Sequence, residues 1–396
     1  MKETIVITSN AYFPNIGGVE NSLKYLAESY INLGYNVIIA ISDVSNKNHI
    51  LPHKEIIDNV TIYRYNSYSQ TKYAHKYFKG IRALFNAYAL LKYIKQNNNV
   101  ILTISRFHTT TVLAKLCKLS NVIYLVPGVV INQNNNKNLI SNTGLAKIKL
   151  NISKILHHNI QKMALKYSDQ VIVFSENMST QISQIIPSLK HIPIVKPGVD
   201  PERFIPVQNK ISLKEKFSIP TDKIILLTVG RFVKAKGFEM VIDALLNLPK
   251  CHLVMVGDGE NYTSIKQQIT NNKLEDKITL TGPQSDTAPY YQLADIFVMS
   301  STYEPLGQTI LEALSTGLPI VAFKGSKITT ATQELLSEKE ALYTDSVNEA
   351  GITKCIRLLI DEPSLRNSMS NNSRRIAIDR FSWNKLGAQI LKYKKK

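Results

Sequence analysis

The sequence predicts two Rossmann-like, doubly wound α/β domains, and three observations carry that prediction. Apolar runs rich in Val and Ile alternate with amphipathic helical stretches along almost the whole chain, the pattern of parallel sheets covered by helices on both faces. A length of 396 residues exceeds what one hydrophobic core ordinarily supports, so two cores of about 200 residues each are expected. Near the middle, Lys196-Pro197-Gly198-Val199-Asp200-Pro201-Glu202-Arg203-Phe204, with Pro206 and Pro220 beyond it, reads as a linker followed by a short helix.

The strands are expected near residues 4–8, 36–42, 100–104, 121–126 and 170–174, then near 224–229, 251–256, 277–281, 295–299 and 318–322. Each is followed by a helix-like segment. The domains are placed at 1–200 and 201–380, with 381–396 as a C-terminal helix that crosses back to the first domain. Asparagine-rich stretches at 97–99 and 132–138 read as exposed loops, and no repeat period is present.

Composition narrows the class. A hydrophobic share of 44% and a charged share of 20% are ordinary for a folded globular chain. No apolar run approaches the roughly 20 residues needed to span a bilayer, and Met1–Asn10 has no secretory leader pattern, which predicts a cytoplasmic location. Cys117, Cys251 and Cys355 are far apart in apolar segments, as reduced core thiols are. The net charge of +18 is unevenly spread: residues 1–200 hold 22 Lys and Arg against 9 Asp and Glu, and residues 201–396 hold 26 against 21.

Three stretches carry candidate chemistry. After the first strand, Phe13-Pro14-Asn15-Ile16-Gly17-Gly18-Val19-Glu20 leads into a helix; paired glycines let backbone approach a ligand, and a helix N-terminus offers free N–H groups to phosphate. Simple turn geometry explains two glycines equally well, and the dinucleotide fingerprint is absent. In the second half, Val229-Gly230-Arg231-Phe232 is followed by Lys234, Lys236 and Gly237. Two cations thereby stand at the carboxyl edge of a parallel sheet, where such folds bind ligands and a diphosphate fits. The third stretch runs from Ser300 through Tyr303-Glu304-Pro305-Leu306-Gly307-Gln308 to Glu312. Its carboxylates can accept hydrogen bonds from sugar hydroxyls, although a lone glutamate at a helix start is also an ordinary dipole partner.

This last stretch resembles the E-x7-E motif of the retaining glycosyltransferases of family 4, which have the GT-B fold of two Rossmann-like domains facing across a cleft. Gly17-Gly18-Val19-Glu20, Pro197-Gly198-Val199-Asp200 with Phe204, Val229-Gly230-Arg231-Phe232 with Lys236-Gly237, Val256-Gly257-Asp258-Gly259, Leu280-Thr281-Gly282, Ala294-Asp295-Ile296-Phe297-Val298 and Phe381-Ser382-Trp383 match in the same order. The resemblance covers almost the whole chain.

It implies an acceptor-binding first domain and a second domain that binds the nucleotide sugar. Gly17 and Gly18 would contact donor phosphates, and Arg231 and Lys236 would neutralise the departing diphosphate. Glu312 would hold the ribose, while Glu304, with the backbone of Leu306, Gly307 and Gln308, would hold the donor sugar. His108 is a further candidate for a sugar or acceptor contact, against a structural role for a lone histidine at a helix start. Two departures bear on the donor: Lys196 replaces the usual asparagine before Pro-Gly-Val-Asp, and Lys324-Gly325-Ser326-Lys327-Ile328-Thr329-Thr330 replaces the usual Gly-Gly and Pro-Glu loop.

The activity implied is retaining transfer of a hexose or N-acetylhexosamine from a nucleoside-diphosphate sugar, UDP favoured over GDP, to a glycan or lipid-linked acceptor in O-antigen, lipopolysaccharide or capsule synthesis. No Asp-x-Asp is present, so neither a metal nor another cofactor is expected and the two cations take the metal's place. A GT-B-shaped sugar-nucleotide epimerase and a non-catalytic binding subunit are the competing readings. The basic first half, with Lys and Arg interleaved with aromatics over 72–95 and five lysines over 147–166, predicts peripheral attachment to an anionic membrane surface. Nucleic acid is disfavoured because no nucleic-acid motif accompanies the charge.

Overall fold

The computed structural model describes residues 2–15, 18–44, 51–67, 79–130, 144–304, 307–326 and 328–395, with 144–151 and 329 described by backbone alone. The chain divides into two compact units, Met1–Val195 with Trp383–Lys396, and Lys196–Ser382. Each is an α/β body built on a predominantly parallel sheet.

In the first unit the strands are β1 (Glu3–Thr8), β2 (Asn36–Ser42), β3 (Lys54–Ile57), β4 (Val60–Tyr65), β5 (Asn99–Ser105), β6 (Val122–Leu125) and β7 (Gln170–Ile172). They lie in the order β3-β4-β2-β1-β5-β6-β7, parallel except for the β3–β4 hairpin. From Thr4 onward β1 is buried on both sides, which is why the inner strands read as continuous apolar runs. The hairpin is absent from the expected strands. Val60-Thr61-Ile62-Tyr63-Arg64-Tyr65 buries only alternate residues and so lacks a Val/Ile run, while Asp58 and Asn59 take φ of 50° and 63° in its two-residue turn.

Helices Lys79–Asn97 and His108–Leu116 share one core with β1, β2 and β5 through Ala87, Leu91, Ile94, Leu113, Val6, Ile38 and Val100. Helix Gly144–Tyr167 adds Ala164 and Leu165 against Tyr124 and Val171. On helix Gly18–Asn32 lies helix Trp383–Leu391, with the Trp383 ring stacked on Tyr25 at 5.3 Å. The approach is close enough that a Cβ on Gly387 would fall 2.4 Å from Ser29 Oγ.

The second unit contains β8 (Ile224–Val229), β9 (Cys251–Val256), β10 (Ile278–Gly282), β11 (Ile296–Met299), β12 (Tyr303–Glu304), β13 (Ile320–Phe323), β14 (Thr329–Thr330) and β15 (Ala341–Thr344). Six of them form a parallel sheet in the order β10-β9-β8-β11-β13-β15, and β12 pairs with β14 separately. Ile225, Leu227 and Val229 of β8 face one core and Leu226 the other, so this sheet too is covered on both faces. Pro201–Phe204 is a turn closed by Asp200 Oδ1, which accepts from the Glu202 and Arg203 amides at 3.1 Å; the helix expected there stands later, at Ile211–Lys216.

Both sheets reverse direction once. Strand order runs outward from β1 through β2 and β4, then resumes at β5; it runs outward from β8 through β9 and β10, then resumes at β11. Such a reversal opens a crevice beyond the carboxyl ends of the two central strands, the usual ligand position in open α/β sheets. The three cysteines are buried and unbridged. Among the described residues no helix is long and apolar enough to cross a membrane.

Candidate functional site

At the reversal in the second unit, the loops after β8 and β11 are bonded to one another. Beyond β8 the chain passes Gly230 and Arg231, makes a 3-10 turn at Lys234–Lys236, and turns through Gly237 at φ 60° into helix Phe238–Leu245. Only glycine fits at 237, because a Cβ would lie 2.4 Å from the Ser300 carbonyl oxygen. Ser300 Oγ donates to the Lys236 carbonyl at 2.7 Å, and the Thr302 amide to the Ala235 carbonyl at 2.8 Å. Gly257 has a similar constraint after β9, where a Cβ would meet the Gly230 oxygen at 1.9 Å.

This bracing sets Lys236 against Glu304. Lys236 Nζ lies 2.5 Å from Glu304 Oε2, with the two side chains 19% and 12% exposed. Glu304 Oε1 accepts the Gly307 amide at 3.1 Å, and the Glu304 carbonyl accepts the Ala331 amide at 2.9 Å. The carboxylate therefore joins the loops after β8 and β11, and the backbone carbonyl of the same residue ties in the loop after β13.

Gly307, at φ 78°, precedes helix Gln308–Ser315. Gln308 Nε2 donates to the Gly198 carbonyl at 3.2 Å, but Gln308 Oε1 and Thr309 Oγ1 are buried without a hydrogen-bond partner among the described residues. Buried polar atoms are nearly always paired, so two unpaired ones at a helix N-terminus beside the strand reversal suit a polar ligand. On the same helix Glu312 is 8% exposed. Burial pushes its pKa up to about 7, against the opposing pull of Tyr291 and Arg203. The Tyr291 hydroxyl faces this carboxyl without closing a well-formed hydrogen bond.

Arg231 is exposed and makes no ion pair among the described residues. The structure thus brings Lys236, Glu304 and Gly307 into one bonded network, with Arg231 on the adjoining loop and Gln308 and Glu312 on the helix that follows. Leu306 and Gly17 lie outside the described residues, and Gly18 is the exposed first residue of helix Gly18–Asn32.

In the first unit the reversal lies between β1 and β5, where the Arg106 amide donates to the Thr8 carbonyl at 2.8 Å. The Arg106 side chain is 2% exposed, and its Nε and Nη1 have no partner among the described residues. It lies over the Phe174 ring at 5.2 Å. Burial lowers its pKa to about 10, while Tyr124 and Glu20 act in the opposite sense. Sequence reading missed this residue; its signal is a cation directly after the apolar strand that ends at Ser105. His108 begins helix His108–Leu116 and is buried, its Nε2 2.9 Å from His157 Nδ1. Burial, then the neighbouring His157, lowers its pKa to about 4. The ring is engaged within the unit rather than presented to solvent.

Comparison with known proteins bears on both units. Residues 209–376 match the family model "Glycosyl transferases group 1". The lipopolysaccharide core biosynthesis glycosyltransferase LpsE of Rhizobium meliloti is 31% identical over 170 residues, which cover 43% of this chain and 49% of LpsE; the chain therefore spans about half the length of that relative. An uncharacterized glycosyltransferase of Methanocaldococcus jannaschii is 26% identical over 420 aligned positions, covering 100% of this chain and 98% of that one. Among solved structures, sucrose-phosphate synthase from Thermosynechococcus elongatus superposes with a TM-score of 0.80 at 18% identity, over 99% of this chain and 98% of that one. Anabaena HepE in complex with UDP and glucose does so with a TM-score of 0.75 at 17% identity, over 98% of each chain. Residues 209–376 thus carry a region like the glycosyl transferases of group 1, in a chain with the GT-B type of fold.

Proposed function

We propose that the chain is a retaining, metal-independent glycosyltransferase that moves a hexose or N-acetylhexosamine from a UDP-sugar to a glycan or lipid-linked acceptor. The work would be done at the cytoplasmic face of the membrane, in synthesis of an O-antigen, lipopolysaccharide or capsule. The observation that carries the reading is the network of Lys236, Glu304 and Gly307 at the reversal between β8 and β11. It offers one cation, one carboxylate and one helix N-terminus within a few ångströms, the groups that a sugar diphosphate requires.

Arg231 and Lys236 stabilise the charge that grows on the leaving diphosphate, in place of a divalent ion. Glu304 and the turn at Gly307 and Gln308 orient the sugar, and Glu312 accepts from the ribose hydroxyls. The leaving phosphate takes the acceptor proton as the acceptor attacks from the same face, so the protein supplies no nucleophile. Its part is orientation and preorganised charge, the two largest sources of rate in such sites. The lipopolysaccharide core assignment of LpsE and the UDP-glucose bound by HepE support an envelope-glycan role and a uridine donor.

A thermal-shift panel of UDP- and GDP-sugars on the purified chain tests the donor, because a bound ligand raises the melting temperature by mass action. Release of free UDP only when acceptor is added identifies a transferase. Release or isomerisation without acceptor identifies an epimerase-like enzyme, and binding without turnover identifies a binding subunit.

A further inference from the structure

A helix packed on a sheet normally turns a polar face to water. Two helices of the first unit do not. On helix Lys79–Asn97, Ile81, Leu84, Phe85 and Tyr93 are 52%, 41%, 68% and 50% exposed, although Ala87, Leu91 and Ile94 already face the core. On helix Gly144–Tyr167, Ile152, Ile155 and Leu156 are 61%, 61% and 57% exposed, although Ala164 and Leu165 are buried. The spacings 81, 84, 85 and 152, 155, 156 each define one helix face. Both helices lie against helix His108–Leu116, whose Leu116 is itself 62% exposed. The outward apolar residues therefore stand on neighbouring elements of one side of the sheet.

The charge on these two helices has one sign, and Asp169, just beyond the second, is paired with Lys115 at 2.7 Å. Neither helix contains an Asp or Glu; Lys79, Arg82, Lys92 and Lys95 lie on one and Lys147, Lys149, Lys154, Lys162 and Lys166 on the other. An apolar stripe on helices whose only charged residues are cations suits a surface that is apolar within and anionic at its border. We propose that these two helices lie in an anionic lipid leaflet, with Phe85, Ile152, Ile155 and Leu156 inserted among the acyl chains and the lysines at the level of the phosphates. The contact is then insertion, not merely attraction between charges. It deepens the membrane location proposed for the enzyme and rests on that reading, yet it requires no particular donor.

Flotation of the full chain with phosphatidylcholine vesicles, with and without phosphatidylglycerol, tests it. Binding is expected with phosphatidylglycerol and should persist in part at about 1 M salt, where the screening length is only about 3 Å. The variant Phe85→Ser/Ile155→Ser/Leu156→Ser should partition at least about a hundredfold more weakly, with an unchanged circular dichroism spectrum. Should that variant fold poorly, Ile155→Cys carrying an environment-sensitive fluorophore should shift to the blue on these vesicles. Equal recovery with neutral and anionic vesicles, an unshifted probe, or a triple variant that floats like the parent would overturn the inference. So would a dimer in light scattering that the triple variant abolishes, since a second copy would then cover the stripe. Melting with UDP, measured alongside, separates this outcome from failure of the donor assignment.

Discussion

Lys236 Nζ and Glu304 Oε2 stand 2.5 Å apart, so the cation assigned to the leaving diphosphate and the carboxylate assigned to the sugar are one ion pair. Each sets the position and charge of the other. The roles inferred separately from sequence are therefore coupled in the folded chain.

That coupling predicts non-additive kinetics. Lys236→Ala and Glu304→Gln should each lower turnover by about 100-fold. The double variant should lose far less than the product of the two, because the second change removes a group already displaced by the first. Turnover rates of the four proteins measure this directly, and a fully multiplicative loss would show that the ion pair is broken when donor binds.

Arg231 offers a contrast. It is exposed and outside any ion pair among the described residues, so Arg231→Ala should change the melting temperature by no more than about 2 °C. Turnover should nonetheless fall by about 100-fold or more, since in the proposed reaction the guanidinium would meet charge that develops only as the diphosphate leaves. Near-normal turnover would remove Arg231 from the mechanism.

Much of this was legible because parallel strands buried on both faces leave continuous Val and Ile runs, as at β1, β8 and β9. Strands β4 and β15 escaped because neither holds a continuous Val or Ile run: β4 buries only alternate residues, and β15 reads Ala341-Leu342-Tyr343-Thr344. At the candidate site, Arg231 and Lys236 were singled out as cations after a strand end, and Glu304 and Glu312 by a motif resemblance, since a lone glutamate at a helix start reads equally as a cap. The Lys236–Glu304 contact was not, because 68 positions separate the partners and only the bonded loops after β8 and β11 bring them together. Arg106 and the outward Ile155 and Leu156 were equally hidden: burial and exposure belong to the packed chain, not to residue type.

Arg106 predicts an unusual stability result. Its guanidinium is buried with two donors unpaired among the described residues, so its desolvation is poorly repaid. Arg106→Met, which keeps the length and removes the charge, should be neutral or stabilising by about 1–3 kcal/mol in urea unfolding. A loss of several kcal/mol instead would show that the cation is paired within the fold.

The His108–His157 contact predicts acid sensitivity. Burial holds the folded pKa of His108 near 4 against an ordinary 6.5, and that of His157 is also lowered by burial. Between these values the unfolded chain binds more protons, so the contribution of His108 is fully present above about pH 6.5 and is lost as pH falls toward 4. Urea unfolding at pH 7 and pH 5 should show a smaller difference for His108→Gln than for the parent. An identical difference would mean that the pair does not stay neutral in the fold.

Glu312 predicts a proton linked to nucleotide binding. Burial raises its folded pKa to about 7 from an ordinary 4.5, so its stabilising contribution is complete below about pH 4.5 and is lost as pH rises through 7. Ribose hydroxyls donate to a carboxylate, so nucleoside diphosphate should select the ionised form. Affinity for UDP should therefore rise between pH 6 and 8, with a proton released on binding near pH 6.5. Glu312→Gln should bind more weakly and lose that proton release, and Glu312→Ala should weaken binding further while lowering turnover less than Arg231→Ala does, because a ribose contact is made in ground and transition states alike. Titration calorimetry in two buffers of different ionisation enthalpy measures the proton count. If Glu312→Gln releases the same proton as the parent, the titrating group is elsewhere and Glu312 does not hold the ribose.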